Sequence, residues 1–102
     1  MEIHFINHNN ILAEDFKPLT EKKIKVLEKY NLFISEIKVE ISKIKHPEHK
    51  NASHEVKVSC NVDGLYYSAT GHDRKDLLAM DKALELLDEQ LSNYHKKKSK
   101  KR

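Results

Sequence analysis

The sequence predicts an α+β domain with the element order β-α-β-β-β-α, in which one sheet of about four strands has both helices on one face. Three observations indicate this class. Apolar and polar residues alternate in two stretches, 37–41 and 56–62, as in half-buried strands. The pair Asp63-Gly64 next to the second stretch is a strong hairpin signal. From Leu77 to Tyr94, apolar residues recur at steps of three and four, the period of an amphipathic helix.

The first strand and the first helix come from the N-terminal part of the chain. Residues 2–7 place Ile3 and Phe5 on one face and form the opening strand. A helix then begins near Glu14, and Asn31 is its expected stop. The buried face of this helix consists of apolar residues at helical spacing: Phe16, Leu19, Ile24, Leu27 and Tyr30.

The other three strands should form an antiparallel meander that precedes the last helix. The second strand, around residues 37–41, ends or bulges where the alternation shifts at Lys43-Ile44. The third strand joins the fourth, residues 65–70, through the Asp63-Gly64 turn. Gly71-His72-Asp73 then turns the chain into the second helix.

Length and charge divide the chain into one domain and a basic tail. A chain of 102 residues has single-domain length. All 16 acidic residues and 13 of the 19 Lys and Arg residues lie within residues 1–95, whose formal charge is therefore −3, whereas residues 96–102 carry +6. We expect residues 1–95 to form the binding domain and residues 96–102 to be a disordered tail. Such a tail either attracts polyanions or only keeps the protein soluble.

The sequence contains no pattern typical of a catalytic or metal site. The one cluster of candidate ligands, His46, His49 and His54 with Cys60 nearby, fits no standard zinc spacing, so we expect no metal. Two glycines cannot form a phosphate-binding loop, and no nucleophile motif is present. We therefore expect no enzyme activity, no cofactor and no small-molecule substrate. No apolar run approaches the roughly 20 residues of a membrane span, and the chain is expected to be soluble and cytoplasmic.

Three lysines form a stripe on the first helix. Lys22, Lys25 and Lys29 stand three and four residues apart and so share one side of a regular helix. Glu21 and Glu28 are near enough to pair with them. The pattern leaves two interpretations open: an ordinary solvated face, or a surface that binds a polyanion.

Several short segments together resemble a known family. In chain order they are Ile3-His4-Phe5, Lys23-Ile24 with Leu27-Glu28-Lys29-Tyr30, Ser68-Ala69 with Gly71 and Asp73, Ala79-Met80-Asp81, and Leu87 with Gln90-Leu91 and Tyr94. As an ordered set they cover essentially the whole chain. The chain resembles the short form of the bacterial ribosome hibernation promoting factors and ribosome-associated inhibitors, also called sigma-factor modulation proteins.

The resemblance implies a fold like that of double-stranded RNA-binding domains, with two roughly parallel helices. It implies binding to the small ribosomal subunit, through 16S-type ribosomal RNA and nearby ribosomal proteins, in the channel used by mRNA and tRNA. Occupancy of that channel blocks translation under stress or in stationary phase, and shape and phosphate contacts do the recognition. The expected RNA-binding residues are basic residues of both helices and the tail: Lys22, Lys23, Lys25, Lys29, Lys82, Lys96, Lys97, Lys98, Lys100, Lys101 and Arg102.

The last helix departs from the family pattern because it is largely acidic. Leu86 and Glu89 stand where Lys or Arg is usual, and Val26 replaces a common Lys on the first helix. Two other functions therefore compete with ribosome binding. One is a protein-interaction module that docks through the acidic helix and Leu86, and the other is a general binder of double-stranded RNA.

Overall fold

The computed structural model describes residues 2–8, 15–44 and 53–100. The α+β class, the four-stranded sheet and the two helices are confirmed. The strands and helices follow the chain as β1 (Glu2–Asn7), α1 (Phe16–Ile24), a 3₁₀ helix (Lys25–Tyr30), β2 (Ile34–Lys43), β3 (His54–Val62), β4 (Leu65–Asp73) and α2 (Asp76–Lys100).

The strands form one mixed sheet in the order β1-β2-β3-β4. β1 is parallel to β2, because α1 and the 3₁₀ helix carry the chain back before β2 begins. β2, β3 and β4 form the antiparallel meander that the sequence predicts. Asp63 and Gly64 both have positive φ, 51° and 82°, as a two-residue type I′ hairpin requires.

Both helices cover the same face of the sheet. The ring of Phe16 in α1 meets Phe5 of β1 with centroids 6.3 Å apart, and Tyr94 of α2 meets Tyr67 of β4 at 5.9 Å. Phe5 and Tyr67 lie on the face that the buried residues of β2 and β3 share. The core beneath the helices is mainly aliphatic: Phe16, Ile24, Leu27, Ile34, Ile37, Val39, Ile41, Val56, Val58, Cys60, Val62, Ala69, Ala79, Met80, Ala83, Leu84, Leu87 and Leu91.

The first helix differs from the single helix that the sequence predicts. It is α-helical only to Ile24 and continues as a 3₁₀ helix, with Asn31 at φ 53° ending it as expected. A 3₁₀ helix has three residues per turn, so Lys25 and Lys29 lie about a third of a turn apart. The prediction that Lys22, Lys25 and Lys29 share one side of a regular helix is therefore wrong. The tighter turn coincides with a tertiary contact, since the Tyr30 hydroxyl donates to Asp88 Oδ1 at 2.8 Å.

The boundaries between β4 and α2 also differ from the prediction. β4 continues through the expected corner to Asp73, so Gly71 is a strand residue with α2 packed on it. At its other end α2 continues to Lys100, through residues expected to be a disordered tail. Two contacts stabilise this extension, because Tyr94 and Lys98 both donate to Asp63 in the hairpin. Lysine is also a good helix former.

The described parts of the chain contain neither a metal cluster nor a helix that could span a membrane. No group of three or more His, Cys, Asp or Glu side chains within them could hold a metal ion, and His46 and His49 lie outside them. Among the helices described, none combines the length and the apolar character needed to cross a membrane.

Candidate nucleic-acid interface

Two lysines of the expected interface form ion pairs with α2. Lys23 of α1 pairs with Asp81, and Lys29 of the 3₁₀ helix lies 3.2 Å from Asp88 Oδ1. Both pairs remain partly exposed to solvent. Asp81 and Asp88 are seven residues apart and so face the same side of α2, opposite the first helix. The cationic charge of Lys23 and Lys29 is therefore largely balanced within the chain.

Asp88 also influences the titration of Lys29. The hydrogen bond to Asp88 raises the pKa of Lys29 above its ordinary value, since the carboxylate favours the charged ammonium. The Lys29 ammonium stands 5.0 Å from the centroid of the Tyr30 ring, whose hydroxyl donates to the same carboxylate. These three residues form one hydrogen-bonded and ion-paired cluster between the helices.

Lys82 points towards the free edge of β4. Its ammonium lies 2.8 Å from Asp73 Oδ2 and donates to the His72 carbonyl at 3.1 Å. Gln90, about two turns further along α2, also points to this edge and donates to the Ser68 carbonyl at 2.9 Å. Unpaired strand edges invite pairing with other chains, and these two side chains occupy carbonyls that a further strand would use. Lys82 therefore has a structural function, and the same contact lowers the pKa of Asp73.

The C-terminal turns of α2 are fixed to the β3–β4 hairpin. The Tyr94 hydroxyl donates to Asp63 Oδ2 at 2.7 Å, and the Lys98 ammonium lies 2.9 Å from the same oxygen. These two donors hold the pKa of Asp63 below its usual value, and the carboxylate raises the pKa of Tyr94. Lys98 is thus paired, while Lys101 and Arg102 and the side chain of Lys100 lie outside what the structure describes.

Four of the expected residues are exposed and make no ion pair with the described residues. They are Lys22 and Lys25 on the first helix and Lys96 and Lys97 near the end of α2. The expected interface therefore contains two kinds of lysine. The free ones lie on the first helix and near the end of α2, and the others are already paired with aspartates of this chain. Phosphate contacts are available without rearrangement only at the free lysines.

Sequence reasoning missed the partners of the paired lysines. Asp63 and Asp73 lie in predicted turns, and Asp81 and Asp88 on the predicted acidic helix, yet each pairs with a predicted RNA-binding lysine. The seven-residue spacing of two of these acids was a usable signal for a common side of α2. Two acids of α2 make no ion pair among the described residues: Glu85, which lines the groove with Lys23, Asp81 and Asp88, and Glu89, which lies with Glu85 beside the exposed Leu86.

Solved structures share this fold at low sequence identity. The N-terminal domain of Protein Y from Thermus thermophilus is 21% identical and has a TM-score of 0.76, with 92% of this chain and 99% of that chain covered. A ribosomal subunit interface protein from Coxiella burnetii is 22% identical with a TM-score of 0.73, and the coverage is 92% and 97%. No curated protein matches the chain.

A sequence model of one family matches almost the whole chain. The matched residues are 3–99, and the family is described as "Sigma 54 modulation protein / S30EA ribosomal protein". The match begins in β1 and ends in the last turns of α2, so it includes every strand and helix of the fold. The chain therefore belongs to the Sigma 54 modulation protein / S30EA ribosomal protein family.

Proposed function

We propose that this protein is a non-enzymatic hibernation factor that binds the small ribosomal subunit in the cytoplasm and blocks translation. The observation that carries the proposal is the family match over residues 3–99. The names of the two similar structures, Protein Y and a ribosomal subunit interface protein, support the same partner. The proposed site is the mRNA and tRNA channel, and the proposed recognition is the shape-and-phosphate recognition of double-stranded RNA-binding domains.

The free lysines are the residues that should make the phosphate contacts. Lys22 and Lys25 supply them from the first helix, and Lys96 and Lys97 from the end of α2. Lys23 and Lys29 would have to exchange Asp81 and Asp88 for phosphate before they contribute. On duplex nucleic acid, each phosphate contact adds roughly 0.9 to the magnitude of the slope of log affinity against log salt concentration. Because only the free lysines make such contacts at once, this slope should be smaller than the number of basic residues in the sequence suggests.

The test is co-sedimentation with purified small subunits over a series of salt concentrations. The variant Lys22→Glu/Lys25→Glu should lose affinity, and the magnitude of its salt slope should fall by roughly 0.9 for each lost contact. The matched control is Lys57→Glu/Lys75→Glu, which makes the same charge change at two lysines outside the proposed interface. Absence of wild-type binding at low salt, or equal losses in the two variants, would contradict the proposal.

One observation favours a second candidate, a protein-interaction surface on α2. Leu86 is 46% exposed and lies between Glu85 and Glu89 on a side of α2 that does not face the first helix. The variant Glu85→Lys/Glu89→Lys distinguishes the candidates, because added positive charge should strengthen RNA binding but disrupt an acidic protein contact. A double-stranded RNA competitor tests the general-binder alternative, which predicts that any duplex displaces the subunit equally.

A further inference from the structure

The face of the sheet that the helices leave open has two exposed aromatic side chains at one end. Phe33 is 73% exposed and Tyr66 is 60% exposed. Phe33 precedes Ile34, which pairs with Val62 at the hairpin end of β3, and Tyr66 pairs with Asn61 at that same end. β2 and β4 flank β3, so two strand spacings, about 10 Å, separate the two aromatic positions across the sheet.

A shallow depression of about 160 Å³ adjoins Tyr66 on the open face. Lys38 and Asn61 line it, are exposed, and make no ion pair or hydrogen bond through their side chains with the described residues. Glu36 and Glu40 flank Lys38 at alternate positions of β2 and also line the depression. One site thus contains an aromatic face, a free cation, a free amide and two carboxylates.

Each of the two carboxylates also lies near an imidazole in or just after β1. The imidazole of His4 lies 3.7 Å from Glu36, and the imidazole of His8 lies 3.6 Å from Glu40. Tyr66 is on β4, at the other side of the sheet order. The carboxylates and Lys38 therefore line the depression from β2 and the Tyr66 ring lines it from β4, with β3 between them.

We propose that this depression binds an unpaired, amino-bearing nucleobase of single-stranded RNA. The base stacks on Tyr66, its exocyclic amino group donates to a carboxylate of β2, and Lys38 contacts a neighbouring phosphate. Phe33 provides a second stacking surface for another base of the same strand. RNA suits the site better than a protein partner, because one nucleotide supplies both a π face for Tyr66 and a phosphate for Lys38. This binding is separate from the lysines proposed to bind the small subunit.

The experiment measures fluorescence anisotropy of short labelled oligocytidylate and oligouridylate of equal length with the full chain. These strands differ chiefly in the 4-amino group, so the wild type should bind oligocytidylate more tightly. Tyr66→Ala should weaken oligocytidylate binding by roughly 5- to 150-fold, the range for loss of one stacked base. Tyr66→Phe should bind like the wild type, whereas Tyr66→Leu should resemble the alanine variant because it is apolar without a π face.

Leu86→Ala is the matched control, since Leu86 is an exposed apolar residue on α2. Both positions are on the surface, and circular dichroism verifies that each variant is folded. The proposal is overturned if Tyr66→Ala and Leu86→Ala bind alike, if Tyr66→Leu binds as well as Tyr66→Phe, or if the wild type binds both oligonucleotides equally. Equal binding by the leucine variant would indicate a surface for an apolar protein partner.

A second measurement separates this proposal from the proposed function. Tyr66→Ala should co-sediment with small subunits like the wild type. Lys22→Glu/Lys25→Glu should lose the subunits but keep the ratio of oligocytidylate to oligouridylate affinity. Loss of that ratio in the lysine variant would show that the preference does not arise at Tyr66, and would overturn the proposed base site without affecting subunit binding.

Discussion

Replacing Gly71 by Ala tests how closely α2 packs on the sheet. A Cβ at this position would lie 2.1 Å from the carbonyl oxygen of Ala79, 2.7 Å from the backbone nitrogen of Ala83 and 2.9 Å from Lys82 Cβ. Two of these atoms belong to the helix backbone, so no side-chain rotation can remove the overlap. The helix as a whole would have to move away from β4.

The cost follows from what α2 contributes to the core. Overpacking usually destabilises a protein by 1–3 kcal/mol, and here the obstacle cannot adjust, so we expect a loss of about 3 kcal/mol or more. Movement of α2 would also weaken the contacts of Met80 and Leu87, both fully buried. For a domain of this size the loss corresponds to a decrease in Tm of about 12 °C or more.

Urea unfolding, followed by circular dichroism, measures the effect as a lower midpoint. Gly64→Ala is the control, because Gly64 has φ 82° and nothing within 4 Å of an added Cβ. That variant should lose only about 1 kcal/mol through backbone strain. Ala83→Gly should not rescue Gly71→Ala, since the obstructing atoms are in the backbone. A smaller loss for Gly71→Ala than for Gly64→Ala would refute the packing argument.

Four other changes test individual groups. Thr20 is completely buried and its Oγ1 has no partner among the described residues, so Thr20→Val should raise the free energy of unfolding by about 1 kcal/mol; a decrease would show that the hydroxyl is bonded. Folding lowers the pKa of Asp63 below 3.8, so the Asp63 carboxylate stabilises the protein above pH 3.8, and this stabilisation is lost as the pH falls through the folded-state pKa. Asp63→Asn should therefore flatten the acid limb of a plot of urea midpoint against pH. Superimposable curves for the variant and the wild type would contradict this. Burial raises the pKa of Cys60 to about 11, so the native thiol should resist iodoacetamide at mildly alkaline pH and react in urea; equal rates would show that it is accessible. Asp88→Asn should release Lys29 and increase small-subunit affinity at low salt; unchanged or weaker binding would place Lys29 outside the interface.

Local rules predicted most of the fold. Alternation identified β1, β3 and the middle of β2, and the Asp63-Gly64 pair identified the hairpin because its backbone needs positive φ at both residues. The errors occur where a distant contact decides the structure. The 3₁₀ segment after Ile24 contacts α2 through Tyr30 and Asp88, and β4 continues past Thr70 because residues 71–73 pair with residues 54–56 of β3.

The candidate site was less predictable than the fold. The sequence identifies which residues are lysines, but it does not identify the acids that face them, because Lys23 and Asp81 are 58 residues apart. Helical spacing alone grouped Lys29 with Lys25, and the 3₁₀ turn separates them. The aromatic positions on the open face were hidden for a similar reason. Phe33 and Tyr66 are brought to one end of the sheet only by strand register.

The ion pairs between the helices affect how a polyanion can approach. An exposed ion pair contributes little to stability, so a phosphate can displace Asp81 or Asp88 from its lysine at small cost. The displaced carboxylate nevertheless remains on α2 and repels the same phosphate, which reduces the gain. Lys22 and Lys25 have no such neighbour among the described acids of α2. A polyanion should therefore bind along the outer side of the first helix rather than in the groove between the helices. Removing the carboxylate of Asp81 or Asp88 makes the groove more positive. The polyanion should then contact the groove as well as the first helix.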